Sequence, residues 1–236
     1  MSDGSLPAHR VSVAIPVYDE EATVARVVRR VLDGNLAFEV IVVDDGSRDG
    51  TLRALEAVRD PRLRVLRHES NRGKGAAMRT AFAAATGDIL VVQDADLEYD
   101  PDDYPALLAP ILEGKADAVY GSRFLGGPHR VLFFWHYIGN RALTLLSNMI
   151  TNLNLTDMET GAKAFRAEVL RRITLRQDRF GFEPEITAKV SRAGARLYET
   201  PVSYAGRTYA EGKKITWVDA VEVPWVLFRA RFLDPL

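Results

Sequence analysis

The chain has no cysteine, which excludes disulfides, thiolate metal sites and thiol nucleophiles and suits a reducing compartment. It has no apolar run approaching the ~20 residues that a membrane span requires. Its opening stretch, Met1 to Arg10, is polar and proline-containing and reads as neither a signal peptide nor a span. A soluble or peripheral protein is expected. Neither sign of charge is in excess, because 31 Lys+Arg against 32 Asp+Glu leave a formal net charge of -1. No global basic field therefore draws the chain to nucleic acid, and any anion site must be local. The first apolar run, Val11 to Ile15, is followed by no G-x-G-x-x-G turn, so the phosphate turn of dinucleotide-binding folds is absent. Gly73-Lys74-Gly75 lacks the rest of the nucleotide-triphosphatase loop pattern.

What is present begins with Ile89-Leu90-Val91-Val92-Gln93-Asp94-Ala95-Asp96. Four consecutive apolar residues suit a strand buried on both faces of a parallel sheet, and ligands of such sheets gather at the strands' carboxyl ends. Asp94 and Asp96 fall at that end. Two carboxylates so close resist joint ionisation unless a cation lies between them. Oxygen ligands without Cys or a nearby His favour Mg2+ or Mn2+, which bridges protein carboxylates and substrate phosphates. A second acidic corner, Asp44-Asp45-Gly46-Ser47, ends the apolar run Phe38 to Val43. Lys74, between two glycines at a helix start, offers a cation and free amide N–H groups to a phosphate or an acid.

At 236 residues the length suits one main α/β domain. Strands are expected at Val11 to Ile15, Phe38 to Val43, Leu63 to Leu66, Ile89 to Val92 and Ala118 to Tyr120. Helical spacing falls between them, at Glu20 to Leu32, from about Asp49 to Val58, from Gly75 to Ala85 and from Pro101 to Leu112. This alternation predicts a parallel, doubly wound sheet with right-handed crossovers. The second half is less regular. Helical spacing covers Ile138 to Ile150 and Glu183 to Ala193, with strands after the polar turn at 157–161 and from Arg196 to Val202. Phe133, Phe134 and Trp135 are adjacent and point in different directions, so at least one should be exposed. The expected division is a tail (1–10), a main α/β domain (11–215) and a terminal amphipathic helix (216–236) interrupted near Pro224.

Two acidic strand ends, a cationic glycine turn and a distant basic loop form the complement of a sugar nucleotide. The motifs V-A-I-P-V-Y-D-E-E, V-V-D-D-G-S-x-D-G-T, N-x-G-K-G-A-A, Q-D-A-D-L-E, G-S-R, D-M-E-T-G-x-K-A-F and R-x-Y-x-E-G-K-K occur in this order from Val11 to Lys214. Together they resemble glycosyltransferase family two, and its dolichyl-phosphate mannose synthase branch in particular. The resemblance implies a GT-A, Rossmann-like fold with a mostly parallel sheet flanked by helices. It implies that Pro16, Tyr18, Glu20, Val43 and Asp45 hold the nucleoside, with Asp94 and Ala95 beside the ribose and diphosphate. Asp96 and Glu98, joined by Asp94, would ligate the Mg2+ or Mn2+, although many relatives carry Gln at the Glu98 position. Arg123, Arg207 and Lys213 would neutralise the donor diphosphate and the acceptor phosphate, which together with Asp96 makes them the catalytic set.

The implied reaction moves mannose or glucose from GDP-mannose or UDP-glucose to a polyprenyl phosphate, with inversion. An anionic acceptor needs no general base, so catalysis rests on positioning and charge stabilisation. A sugar-hydroxyl acceptor in polysaccharide or glycolipid synthesis is the alternative. It would require a carboxylate base, with Asp157, Glu183 and Glu185 as candidates. A lipid acceptor places the protein at the inner face of the cell membrane, docked through Phe133, Phe134 and Trp135 with Arg130 and Arg141, and through the terminal helix with Trp217, Trp225 and Phe228. Either stretch could instead contact a second copy of the chain or a membrane-protein partner. A receiver-type signalling domain also sets Asp pairs at strand ends, but leaves the basic loop and the second half without a purpose.

Overall fold

The computed structural model describes residues 9–126, 130, 133–208 and 217–236. Lys213 and the rest of 209–216 lie outside the described residues, as do residues 1–8 of the expected tail and the side chain of Trp217. A seven-stranded sheet runs in the order β3-β2-β1-β4-β6-β5-β7. Its strands are β1 (Val11–Val17), β2 (Ala37–Asp44), β3 (Leu63–Arg67), β4 (Ile89–Val92), β5 (Ala118–Ser122), β6 (Lys163–Arg166) and β7 (Leu197–Pro201). The central strands alternate faces with period two. Val13, Ile15, Val40 and Val42 enter one core layer, while Ala14, Ile41 and Val43 enter the other.

The first layer is closed by α1 (Val24–Asp33), α2 (Thr51–Glu56) and α4 (Tyr104–Leu112). The second is closed by α3 (Lys74–Ala84), α7 (Phe182–Arg192) and α8 (Trp217–Phe228). In α3 the buried face is Gly75, Ala76, Ala77, Met78 and Ala81, small residues that let the helix lie close to the sheet. The short α6 (Ala167–Arg171) follows β6, and α5 (Phe134–Thr151) packs against α7 and α8.

The sheet is mostly parallel as expected, with one reversal. β6 is antiparallel to both β4 and β5, with Lys163 opposite Val92 and Tyr120. A reversed strand begins, rather than ends, at the carboxyl edge of its neighbours. The D-M-E-T-G turn before it is thereby delivered to the edge that carries Asp94.

Two boundaries differ from the periodicity. α5 starts at Phe134, so the aromatic cluster belongs to its first turn. α8 continues through Pro224 without a break, and the irregularity comes later, as a π-helical turn at Arg229–Leu233. Burial explains the second difference. Val223, Val226, Leu227 and Ala230 anchor one face in the core, while Pro224 points to solvent.

Candidate active site

The parallel register places three acidic strand ends together. Val17 pairs with Asp44 and Ala14 with Val92, so the residues after β1, β2 and β4 share one edge. Pro16, Tyr18, Glu20, Val43, Asp45, Asp94 and Ala95 all belong to it, within those strands or just beyond them. The carboxylate of Asp45 is fully engaged. It accepts from the backbone N–H of Arg72 (3.0 Å) and Gly73 (2.7 Å) and meets His68 Nδ1 at 2.6 Å. Asp45 thus fixes the turn that leads into α3. Gly73 has φ +100, and a side chain there would collide with the backbone of Asp178, which explains the glycine.

That turn presents Lys74, whose Nζ lies 2.8 Å from both Asp94 and Glu183. Burial works against its charge, but the two carboxylates outweigh it and hold the ammonium well above its ordinary range. Asp94 is further confined by Gly161, where any side chain would strike its carboxylate.

Two residues further on, Asp96 sits in a crowd. Burial, then the charges of Asp94 and Glu98, push its carboxyl up to about 7, and Arg207 only partly offsets them. Arg207 arrives from far along the chain because the segment before it is strapped to the corner. Tyr99 and Tyr204 form a β-bridge, Ala205 N–H donates to Glu98 O (2.9 Å) and Tyr204 Oη donates to Glu98 Oε2 (2.9 Å). The Arg207 guanidinium then bonds Glu20 (3.1 Å) and Asp96 (2.9 Å), while its backbone N–H donates to Glu98 (2.7 Å). Its Nε is buried without a hydrogen-bond partner.

Arg123 follows β5 and is locked to Asp157 by Nε–Oδ2 (2.6 Å) and Nη2–Oδ1 (2.7 Å), with its own N–H also on Oδ2 (3.1 Å). Burial opposes both charges. The pairing prevails, keeping Arg123 cationic and Asp157 below the usual carboxylate range. Its guanidinium lies 5.1 Å from the Tyr204 ring centroid, which ties this pair to the Arg207 strap.

Of the candidate bases, Asp157 is therefore spent on Arg123, and Glu183 is paired with Lys74. Glu185 accepts from the N–H groups of Arg176 and Gln177 and pairs with Lys189, a clamp at the start of α7. Glu159, which the sequence motif contained without a role, has one buried oxygen with no hydrogen-bond partner. Burial and then Glu183 raise its carboxyl to about 8. Lys163 beside it is pulled down to about 8 by burial, and its Nζ donates to the Met158 and Thr160 carbonyls. Their signal was the four-residue spacing in E-T-G-A-K at a strand start. His68 and Tyr204 were also missed. His68 immediately follows β3 at the same sheet edge, so the edge rule alone would have found it.

No three Asp, Glu, His or Cys side chains converge into a metal cage among the described residues. The donor set nonetheless fits a hard divalent cation. Asp96 and Glu98, with Asp94 behind them, are crowded oxygen donors, and among the described residues the cations paired with them are Arg207 and Lys74. Magnesium-type ions commonly take one or two protein carboxylates and complete their shell with substrate phosphates and water.

Comparison with known proteins agrees with this geometry. Residues 12–174 match the family model for "Glycosyl transferase family 2". The chain belongs to glycosyltransferase family 2. It is 32% identical over 219 residues to the undecaprenyl-phosphate mannosyltransferase of Micrococcus luteus, covering 86% of this chain and 87% of that protein. It is 30% identical over 217 residues to the polyprenol monophosphomannose synthase of Mycolicibacterium smegmatis, covering 88% and 82%. A further match, glycosyltransferase AglD of Haloferax volcanii, is 34% identical over 89% of this chain, which spans only 34% of that longer protein. Among solved structures, glucosyl-3-phosphoglycerate synthase from Mycobacterium tuberculosis, in complex with Mn2+, UDP and glucosyl-3-phosphoglycerate, superposes with a TM-score of 0.75 at 24% identity. That superposition covers 94% of this chain and 80% of the other and shows the shared GT-A fold.

Proposed function

We propose that this family-2 glycosyltransferase moves a hexose from a nucleoside-diphosphate sugar to a polyprenyl phosphate, inverting the anomeric configuration. The observation that carries the reading is the fate of the carboxylates expected to serve as bases, each bound to a cation. An acceptor that arrives as an anion fits such a site. Its phosphate oxygen attacks the anomeric carbon in line, the carbon–oxygen bond to the donor diphosphate breaks, and the electron pair leaves with the nucleoside diphosphate. No proton has to be removed.

A divalent cation on Asp96 and Glu98 would supply charge neutralisation for the departing diphosphate. The chain's own contribution is positional. Asp45 and His68 hold the Arg72–Gly73 turn, that turn holds Lys74 against Asp94, and Arg123 and Arg207 bring two permanent cations to the same edge, with Lys213 assigned beside them. The relatives named for undecaprenyl and polyprenol phosphates support the acceptor class. GDP-mannose and UDP-glucose are the two donors this reading carries.

The acceptor's membrane would be met by α5 and α8. No helix among the described residues is long and apolar enough to cross a bilayer. Yet Phe133, Phe134, Trp135 (78% exposed), Ile138, Leu145 and Met149 line the outside of α5 and its N-cap, and Val221, Trp225 (58%), Phe228 and Phe232 line that of α8 and the π-helical turn after it. The helices pack side by side, with Arg130, Arg141 and Arg231 nearby in the sequence. Apolar rings flanked by arginines suit the interface of an anionic leaflet. The reading includes peripheral attachment at the cytoplasmic face.

One observation favours the second reading, a saccharide-hydroxyl acceptor: the unpartnered Glu159 oxygen could serve as a base once its carboxyl, raised to about 8, is ionised. Incubating the protein with GDP-mannose or UDP-glucose, a short polyprenyl phosphate and a saccharide panel, with products weighed by mass spectrometry, separates the two. Glycosylated lipid phosphate is expected, and Glu159→Gln should retain that product. Transfer to saccharide alone, abolished by Glu159→Gln, would replace the first reading with the second.

A further inference from the structure

The terminal helix carries a second feature beside its apolar strip. Glu222 and Arg229, seven residues apart and so on one face of the helical path, line a cleft of about 380 Å³ together with Arg72, Arg176, Asp178 and Arg179. Four guanidinium groups face two carboxylates there. One of those carboxylates, Asp178, is already paired with Arg79 outside the cleft. Arg176 and Arg229 share a single neighbour, Asp234, at 3.7 and 3.0 Å. Arg72 and Arg179 have no ion-pair partner among the described residues. The cleft is therefore a local excess of cation in a chain whose formal net charge is -1.

Two considerations identify what would neutralise it. Arginine presents a planar fork of donors that matches phosphate oxygens, so convergent arginines favour a phosphate over a point anion. The position favours a lipid. Val221, Trp225, Phe228 and Phe232 repeat every three or four residues, and Glu222 and Arg229 lie one step around the helix from that strip. With the strip at the acyl boundary of a bilayer, the arginines of the cleft lie at headgroup depth. We infer that the cleft between the Arg72 turn, the 176–179 segment and α8 binds the phosphate headgroup of an anionic membrane lipid. The inference rests on the proposed docking of α8 to a membrane, and it is independent of which donor and acceptor the active site takes.

The test is sedimentation of the full chain with phosphatidylcholine vesicles, with and without phosphatidylglycerol, read without any turnover. Each basic residue near an anionic surface contributes about one kcal/mol, so an Arg176→Ala, Arg179→Ala double variant should bind the phosphatidylglycerol vesicles roughly thirty-fold more weakly. Binding to phosphatidylcholine alone should not change. An Arg53→Ala, Arg59→Ala double variant, with the same charge change at exposed positions on and just after α2, is the control and should keep near-parental affinity. Equal losses in the two double variants would reduce the effect to net charge and overturn the site. So would undiminished binding by the first.

Because Arg176 also contacts Asp234, the single Arg179→Ala variant is measured alongside, with a loss of roughly five-fold expected. Calorimetric titration with inorganic phosphate and with GDP or UDP covers the soluble alternatives. If either bound the parent and lost affinity in Arg179→Ala, the cleft would be a soluble-anion site instead. Transfer to a short, water-soluble polyprenyl phosphate should be unaffected in Arg179→Ala. Failure of the transfer reaction in the parent would thus count against the proposed function without touching this inference.

Discussion

The two ends of β5 carry the same bonding pattern in opposite surroundings. At its carboxyl end, Arg123 gives Asp157 two guanidinium bonds and one backbone N–H bond. Just before its amino end, Asp117 receives the same three bonds from Arg196. The first pair is buried, with side-chain exposures of 16% and 0%, and the second is open, at 55% and 22%. Geometry being equal, solvent decides what each pair does. In the open pair, water competes with the partners and the net contribution is small. In the buried pair, each charge depends on the other, because neither can be left alone at low dielectric. Arg207 is a third case. It is one cation shared among Glu20, Asp96 and Glu98, and it only partly offsets the burial and the neighbouring charges that raise the Asp96 carboxyl. The buried pair balances its own charges, whereas the acidic corner keeps a carboxylate that its arginine only partly offsets.

The largest effect expected from this contrast is at Asp157. Asp157→Ala leaves the Arg123 guanidinium buried and uncompensated and should destabilise the fold by about 3 to 5 kcal/mol. A denaturant titration reads it directly. A loss below about 1 kcal/mol would mean that Arg123 swings to solvent and that the pair is no scaffold.

Arg207→Ala comes next. Losing one charge-stabilising donor should cost on the order of 2 to 4 kcal/mol in transition-state stabilisation, seen as a fall in kcat/KM. The same change leaves Glu20, Asp96 and Glu98 facing one another, so added Mn2+ should raise the melting temperature of the variant more than that of the parent. An equal response of both proteins to Mn2+ would break the assignment of Asp96 and Glu98 as cation ligands.

The acidic edge of this site was legible in the sequence for a physical reason. A parallel strand buried on both faces must be apolar and must stop where ligands bind, so Asp45 and Asp94 announce themselves by ending apolar runs. Lys74 was legible through its glycines, which the close approach of the Gln177 and Asp178 backbone requires. The other side was not legible by the same means. Glu159 and Lys163 reach the site because β6 runs backwards, and a four-residue strand carries no mark of its direction. That Asp157 would be taken by Arg123 was equally hidden, because the two are 34 residues apart and pairing depends on which loops share an edge. The start of α5 was missed because exposed aromatic residues in a first turn break the apolar periodicity that defines a helix from sequence.

The smallest effect belongs to the open pair, and it gives the sharpest check on the comparison. Asp117→Asn removes the carboxylate but keeps an acceptor for Arg196 N–H, and at neutral pH it should cost less than about 1 kcal/mol. Its pH dependence identifies the cause. The hydrogen bonds from Arg196 hold the Asp117 carboxyl down to about 2 in the folded protein, against roughly 3.9 in an unfolded chain. A depressed folded-state value means that the unfolded chain takes up the proton first as pH falls. The stabilisation is therefore complete above the unfolded value and disappears as pH drops through the folded one. The parent and Asp117→Asn should keep a constant small difference in melting temperature from neutral pH down to about pH 5. The difference should then shrink toward zero as pH approaches about 2. Arg196→Ala should abolish that convergence, since it removes the cause of the shift. A difference in stability as large as that of Asp157→Ala would show that bonding geometry, and not burial, sets the strength of these pairs.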